Sequence, residues 1–337
     1  MKRKIFSTLI FTFFYLLAFQ NMNAQNSCNS NQVDPRVAFL LQMPDLSLQQ
    51  LRAMPIEEMR KMSPPDMNPV PESKLRRVKI TGDNIQVFIY KPDHPGDQLL
   101  PVIINFHGGA FVAPMQPWMY HIGQDLANNY KAIVFDIDYP VAPEFRFPAP
   151  LNAGYAAFRW LSENATSYGG DTSKIMLFGG SSGANLAAVI TLMAKADGLE
   201  KRIKLVSLFC PFVDDPVNSP YPSYRKYGKG HLLTEANAIW ALENYTGSGF
   251  PDNGDYRLFP IRAKSLRGLS PTIIFTAEFD ILHDEGEAYA NKLKEAGVPV
   301  FYKCFPGQLH TMAGLPPDAE EWKQMTEYTH AFIKKYL

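Results

Sequence analysis

Six short stretches, residues 102–106, 132–135, 174–178, 205–209, 272–275 and 298–302, are apolar almost from end to end. A strand with one wet face alternates apolar and polar residues, so runs without alternation fit strands buried on both faces. Helix-like stretches at roughly 118–129, 149–166, 183–196, 284–296 and 319–335 separate most of these runs. That alternation predicts an α/β fold, with a mostly parallel central sheet flanked by helices. Upstream, residues 78–82 and 85–90 read as a hairpin turning at Gly82-Asp83-Asn84, which would give the sheet an antiparallel edge.

The 337 residues suit one large unit of this kind with insertions. Met1-Lys2-Arg3-Lys4 is basic, residues 5–19 are nearly all apolar, and a polar stretch ends at Ala24. Residues 1–24 therefore read as a secretory signal peptide. The apolar run is shorter than the roughly 20 residues of a membrane-spanning helix. Export to the periplasm or beyond is expected, with no stable membrane insertion after cleavage. Residues 25–73 are expected to supply a linker and cap helices, since 34–67 are rich in Met, Pro and Leu at helical spacing. Residues 74–337 form the main domain. Within it, about sixty residues between Pro211 and Pro271 are too many for a plain loop and mark a functional insertion. Its part at about 212–247 would join the N-terminal helices in a cap.

Lys plus Arg and Asp plus Glu both number 33, so the formal net charge is zero and nucleic acid is excluded as a partner. There are three cysteines. Cys210 and Cys304 sit in apolar runs and read as buried free thiols rather than a disulfide framework, and the residues before Cys28 do not favour lipid attachment.

Chemistry is concentrated at the ends of the predicted strands. Gly179-Gly180-Ser181-Ser182-Gly183 follows one strand and opens a helix. A serine displayed on so sharp a turn needs glycine flanks, and the helix aims its N-terminal amides at the site. His107-Gly108-Gly109-Ala110 follows another strand. Glycines let backbone amides approach an oxyanion, so Gly108, Gly109 and Ser182 are the oxyanion-hole candidates, with Ala110 as a further amide. His107 precedes the serine in the chain and is assigned to holding the glycine loop. Asp280 and His310 each follow a further strand, completing the order Ser181, Asp280, His310 of a nucleophile, acid and base. Glu278 and Asp284 are rival acids, and His283 is a rival base. No His-x-x-x-His or Cys-x-x-Cys spacing occurs, so no metal or cofactor is implied.

Taken together, these motifs resemble the bacterial hormone-sensitive-lipase-like esterases, a family of α/β-hydrolases. His107-Gly108-Gly109 is similar to the family's His-Gly-Gly-Gly loop. Residues 139–149 resemble its Tyr-Arg-Leu-Ala-Pro-Glu…Phe-Pro-Ala stretch, and residues 280–286 its Asp-Pro-Leu-Arg-Asp-Glu-Gly. The resemblance covers about residues 74–337, and it implies an α/β-hydrolase fold with a helical cap. It departs from the family at Gly180, where an acidic residue is usual, and at Ala110 and Ala184, where glycine is. The implied activity is hydrolysis of small or short-chain acyl esters through an acyl-enzyme on Ser181. A carbohydrate acetyl esterase, an amidase or peptidase, and a non-catalytic ligand-binding protein are the alternatives. Tyr221, Tyr224 and Tyr227 could stack on a sugar, although packing is the commoner use of such residues. The expected partner is a small-molecule ester, and a homodimer is an assembly the sequence permits.

Overall fold

The computed structural model describes residues 28–61, 76–80, 85–117, 119–217, 219–247 and 254–337. The expected signal peptide, residues 62–73 of the linker and the Gly82-Asp83-Asn84 turn lie outside the described residues. Eight strands form one sheet: β1 (Arg76–Ile80), β2 (Ile85–Tyr90), β3 (Leu100–Phe106), β4 (Ile133–Asp138), β5 (Gly170–Gly180), β6 (Ile203–Phe209), β7 (Thr272–Phe279) and β8 (Val300–Leu309). Their spatial order is β1-β2-β4-β3-β5-β6-β7-β8. β2 is antiparallel to both β1 and β4, and every other pairing is parallel. Each uninterrupted apolar run is thus a strand, and the hairpin is the antiparallel edge.

The α-helices are α1 (Leu48–Ala53), α2 (Ile56–Lys61), α3 (Met119–Tyr130), α4 (Ala149–Asn164), α5 (Ser182–Ala196), α6 (Pro222–Tyr227), α7 (Glu235–Thr246), α8 (His283–Glu295) and α9 (Glu320–Tyr336). α5 is buried along almost its whole length, as its run of Ala, Leu, Val and Ile requires. It presses on the end of β3 so closely that a Cβ on Gly183 would stand 2.0 Å from the Phe106 carbonyl oxygen. A Cβ on Gly179 would stand 2.4 Å from the Gly183 carbonyl oxygen, whereas one on Gly180 would meet nothing nearer than 4.0 Å. Two of the three glycines around the turn are therefore steric necessities. The third is not.

β7 and β8 run further than their apolar cores, to Phe279 and Leu309, after a register shift between Ala277 and Phe279. Phe279 and Leu309 are register partners, so Asp280 and His310 leave the sheet side by side. One adjustment of strand register thereby brings together two residues thirty positions apart.

The N-terminal helices and the insertion meet. Arg52 of α1 pairs with Glu243 of α7, and the Gly230 amide donates to Asp45 at 2.6 Å. Arg60 of α2 donates to the carbonyls of Val112 and Ala142, both at 3.1 Å, and to Glu144. Buried Glu285 accepts from the amides of Val213 and Asp214 and from the Tyr224 hydroxyl, fixing the start of the insertion. Tyr221 and Tyr224 are both committed to carboxylates in this packing, and the Tyr227 ring lies against Phe279.

The cysteine assignment needs correction at one position. Cys304 is not a free thiol. It is disulfide-bonded to Cys28, 276 positions earlier in the sequence, with Cα atoms 5.7 Å apart. The segment after Cys28 folds back along the end of β8, a contact that no local pattern announces. Cys210 is the buried free thiol that was expected.

Deep in the sheet, Asn105 of β3 and Asp136 of β4 are register partners, and the Asn105 amide donates to Asp136 Oδ1 at 2.9 Å. Among the described residues Oδ2 has no hydrogen-bond partner, and burial pushes the Asp136 carboxyl up to about 8. Between the ordinary carboxylate range and pH 8 the folded state holds a proton that the unfolded state has lost, so stability falls with rising pH across that window. Asp136→Asn should remove this dependence. Urea melts at pH 5 and pH 8 should show its advantage over wild type growing by about 2–4 kcal/mol. Gly183→Ala should cost about 3 kcal/mol or more, while Gly180→Ala should fall within about 0.5 kcal/mol of wild type in the same assay.

Candidate active site

Ser181 is the last residue before α5 and has φ 56° and ψ −122°, a backbone conformation that non-glycine residues rarely adopt. Its amide donates to the Phe209 carbonyl at 2.8 Å, and its own carbonyl accepts from Ala184 at 3.0 Å. Neighbouring strand and helix thus hold the turn from both sides. His310 Nε2 lies 3.0 Å from Ser181 Oγ, and His310 Nδ1 lies 2.7 Å from Asp280 Oδ2. With Nδ1–H donating to the carboxylate, Nε2 offers its lone pair to the serine hydroxyl. Asp280 is fully buried, and its Oδ1 accepts from the Leu282 amide at 3.0 Å. The structure therefore brings Ser181, Asp280 and His310 into one hydrogen-bonded chain.

The glycine loop lies against the nucleophile turn. A Cβ on Gly108 would be 3.1 Å from the Gly180 carbonyl and 3.4 Å from Ser181 Cβ, so any larger residue would crowd the serine. Gly109 has φ 116°, and a Cβ there would stand 2.9 Å from Ala113 Cβ. Its carbonyl accepts from the amides of Val112 and Ala113, which curls the loop. Ala110 and Phe111 follow with φ 57° and 63°. Ala110 thus holds a left-handed conformation in which glycine would be cheaper. Ser182 opens α5 beside Ser181, where the positive end of the helix dipole adds to its amide.

His107 is buried, and its Nδ1–H donates to the Gly108 carbonyl at 2.7 Å. Its ring stacks on Tyr139 at 4.2 Å, and the Tyr139 hydroxyl donates to the His107 carbonyl at 2.5 Å. Burial lowers its pKa to about 4, so the ring is neutral at neutral pH. This is the loop-holding role expected of it. The rivals are committed elsewhere. Glu278 accepts from the Ser30 amide and hydroxyl and from the Gly307 amide. Burial pushes its pKa up, but these donors outweigh that and hold it below the usual glutamate range. His283 begins α8 and is bonded to Asp284, which also accepts from the Ser223 amide.

Sequence reasoning missed the contribution of Cys210. Its sulfur accepts from the Thr311 amide at 3.4 Å, beside His310, and burial together with the Asp280 charge pushes its thiol well up. Among the described residues two clusters offer three metal-ligating atoms, Cys28–His283–Cys304 and Cys210–Asp280–His310. Two sulfurs of the first are bonded to one another, and the second is the hydrogen-bonded group already described.

Beside the glycine loop lies an aromatic wall. Phe111 stacks on Tyr245 of α7 with ring centres 4.0 Å apart and packs edge-on against Phe212. Phe147 closes on Tyr245 at 5.7 Å, and its amide donates to the Tyr245 carbonyl. The insertion is thereby fastened next to the site. Chemically the arrangement offers an activated hydroxyl, a base held by a buried carboxylate, nearby backbone amides and an apolar flank.

Known proteins share these features. The sequence profile of a family described by the alpha/beta hydrolase fold matches residues 103–314. The chain is 30% identical to an arylesterase of Saccharolobus solfataricus over 298 residues, 88% of this chain and 94% of that protein. It is 32% identical to the carboxylesterase NlhH of Mycobacterium tuberculosis over 253 residues, covering 74% and 77% respectively. Among solved structures, an esterase of Rhizomucor miehei superposes with a TM-score of 0.79 at 30% identity, over 90% of this chain and 96% of that one. A thermostable esterase of Pseudomonas putida gives 0.79 at 28% identity, over 92% and 99%. The chain belongs to the hormone-sensitive-lipase-like esterases, hydrolases of carboxylic esters built on the α/β-hydrolase fold.

Proposed function

We propose that the protein hydrolyses small, short-chain acyl esters through an acyl-enzyme on Ser181, with His310 as general base and acid and Asp280 as its orienting carboxylate. The observation that carries this reading is the chain of two hydrogen bonds, 2.7 and 3.0 Å long, from Asp280 through His310 to Ser181. His310 Nε2 takes the Ser181 proton as Oγ attacks the ester carbonyl, and Asp280 stabilises the imidazolium that forms. The amides of Gly108, Gly109 and Ser182 hold the developing oxyanion, each worth about 3 kcal/mol of transition-state stabilisation. His310 then protonates the departing alcohol, and water deacylates the serine by the reverse route.

Short acyl groups are favoured by the stacked Phe111–Tyr245 pair, which fills space next to the glycine loop. A relative from Pseudomonas putida, 29% identical, bears the name ethyl acetate hydrolase. Export is part of the same proposal. It rests on the basic and apolar start of the chain and on the Cys28–Cys304 disulfide, a bond typical of oxidising compartments.

The test is hydrolysis of p-nitrophenyl acetate, butyrate, octanoate and palmitate by the exported protein, alongside Ser181→Ala. The expected result is a preference for acetate and butyrate, with kcat falling roughly 10⁵-fold or more in the variant. Circular dichroism should be unchanged. Retained turnover in Ser181→Ala would overturn the assignment, and a preference for palmitate would overturn the chain-length reading.

A further inference from the structure

The segment from Cys28 to Arg36 has no place in the chemistry above, yet it is fastened at several points to the strand end that carries His310. Cys28 is covalently joined to Cys304 of β8. Ser30 donates to the Glu278 carboxylate from its amide at 3.0 Å and from its hydroxyl at 2.6 Å. The Gly307 amide donates to the same carboxylate at 2.8 Å. Asp34 donates its amide to the Gly307 carbonyl at 2.8 Å and accepts from the Gln308 side chain at 3.0 Å. Gly307 has φ 73°, and a Cβ there would reach within 3.4 Å of the Asp34 amide nitrogen. At the far end Arg36 binds both Asp34 and Glu321 of α9, and its hydrogen bond is the main reason the Asp34 carboxyl is lowered to about 2.

Glu278 is the node of this arrangement. It stands two residues before Asp280 on β7, and the Gly307 amide it holds stands three residues before His310 on β8. Its carboxylate is 3% exposed as a residue, so donors lost from it cannot simply be replaced by bulk water. Whatever fixes Ser30 over Glu278 therefore also fixes the turn from which His310 emerges.

We propose that residues 28–36 are a strap that positions His310 against Asp280 and Ser181, and that the Cys28–Cys304 disulfide makes this positioning redox-dependent. The inference rests on the triad reading of the site. The partner it implies is a dithiol reductant. One thiolate of the dithiol attacks a sulfur of the Cys28–Cys304 bond, and the other cysteine leaves as a thiolate. The second thiol of the reductant then displaces the first cysteine. Two electrons pass to Cys28 and Cys304, which end as thiols with two protons, and the reductant ends as a disulfide. Freed of its covalent anchor, the strap is held by its hydrogen bonds and the Arg36 ion pairs alone, and the His310 turn gains freedom.

The experiment compares the oxidised exported protein, the same protein after dithiothreitol treatment and removal of the reagent, and the reoxidised protein, with p-nitrophenyl butyrate as substrate. Reduction should lower kcat by about 10- to 100-fold with KM changed less than about twofold, because a misplaced base slows chemistry without weakening binding. Reoxidation should restore kcat. Cys28→Ser should match the reduced protein and ignore the reductant. Amide hydrogen exchange should quicken at residues 305–312 and not across the sheet. Unchanged kcat and exchange on reduction would overturn the proposal. If reduction instead unfolds the whole protein, Glu278→Gln with the disulfide intact decides: a lowered kcat at constant KM supports the strap, and wild-type kcat overturns it. Labelling of Ser181 by a fluorophosphonate separates the two readings. Absence of labelling in the oxidised protein defeats the triad itself, whereas labelling without redox sensitivity defeats only the strap.

Discussion

The structure turns on the contact between Gly183 and the Phe106 carbonyl, where helix α5 meets the end of β3 with no room for a Cβ. Because the helix starts that close to the sheet, the chain must reverse within the residues before it, and Ser181 absorbs the strain at φ 56°. A conformation of this kind costs about 1–3 kcal/mol and survives only where its surroundings over-determine it. The buried length of α5 supplies that support, since each fully buried aliphatic side chain is worth about 1.5–3 kcal/mol. The same approach lays the Gly108–Gly109 loop against the serine. The Ser181 turn and the glycine loop against it are therefore two products of one packing event.

Most of this was legible in the sequence because it is local. Runs without polar alternation identified the strands of the parallel sheet, and the order of Ser181, Asp280 and His310 placed the three residues at strand ends. The hairpin was read from alternation and turn residues alone. What escaped was contact between remote segments. Cys304 looked like any apolar-strand cysteine because its partner lies 276 positions away in a stretch with no periodic signal. In the sequence Glu278 is a rival acid that stands beside Asp280. Only the donors gathered around it, Ser30 and Gly307, reveal a different use. The surroundings of Cys210 have no local signal either, because Asp280 and Thr311 approach it from just beyond the ends of β7 and β8.

Burial acts in opposite ways on the polar groups near the sheet's centre. His107 and Asp136 are both enclosed and both driven to the neutral form, one downward to about 4 and the other upward to about 8. Both are therefore mainly neutral at neutral pH. Glu278 keeps its charge because three donors compensate for the loss of water. Among these buried groups the charge is thus kept where donors surround it and lost where they do not.

The disulfide also has a meaning in time. Translation reaches Cys28 276 positions before Cys304. The bond cannot close before β8, the strand that carries Cys304, has been made. Closing the Cys28–Cys304 bond encircles nearly the whole domain in one covalent ring, which restricts the unfolded chain far more than the folded one. The segment around Cys28 thereby acts as a record of completion: its covalent anchor exists only once the edge strand of the sheet has been made.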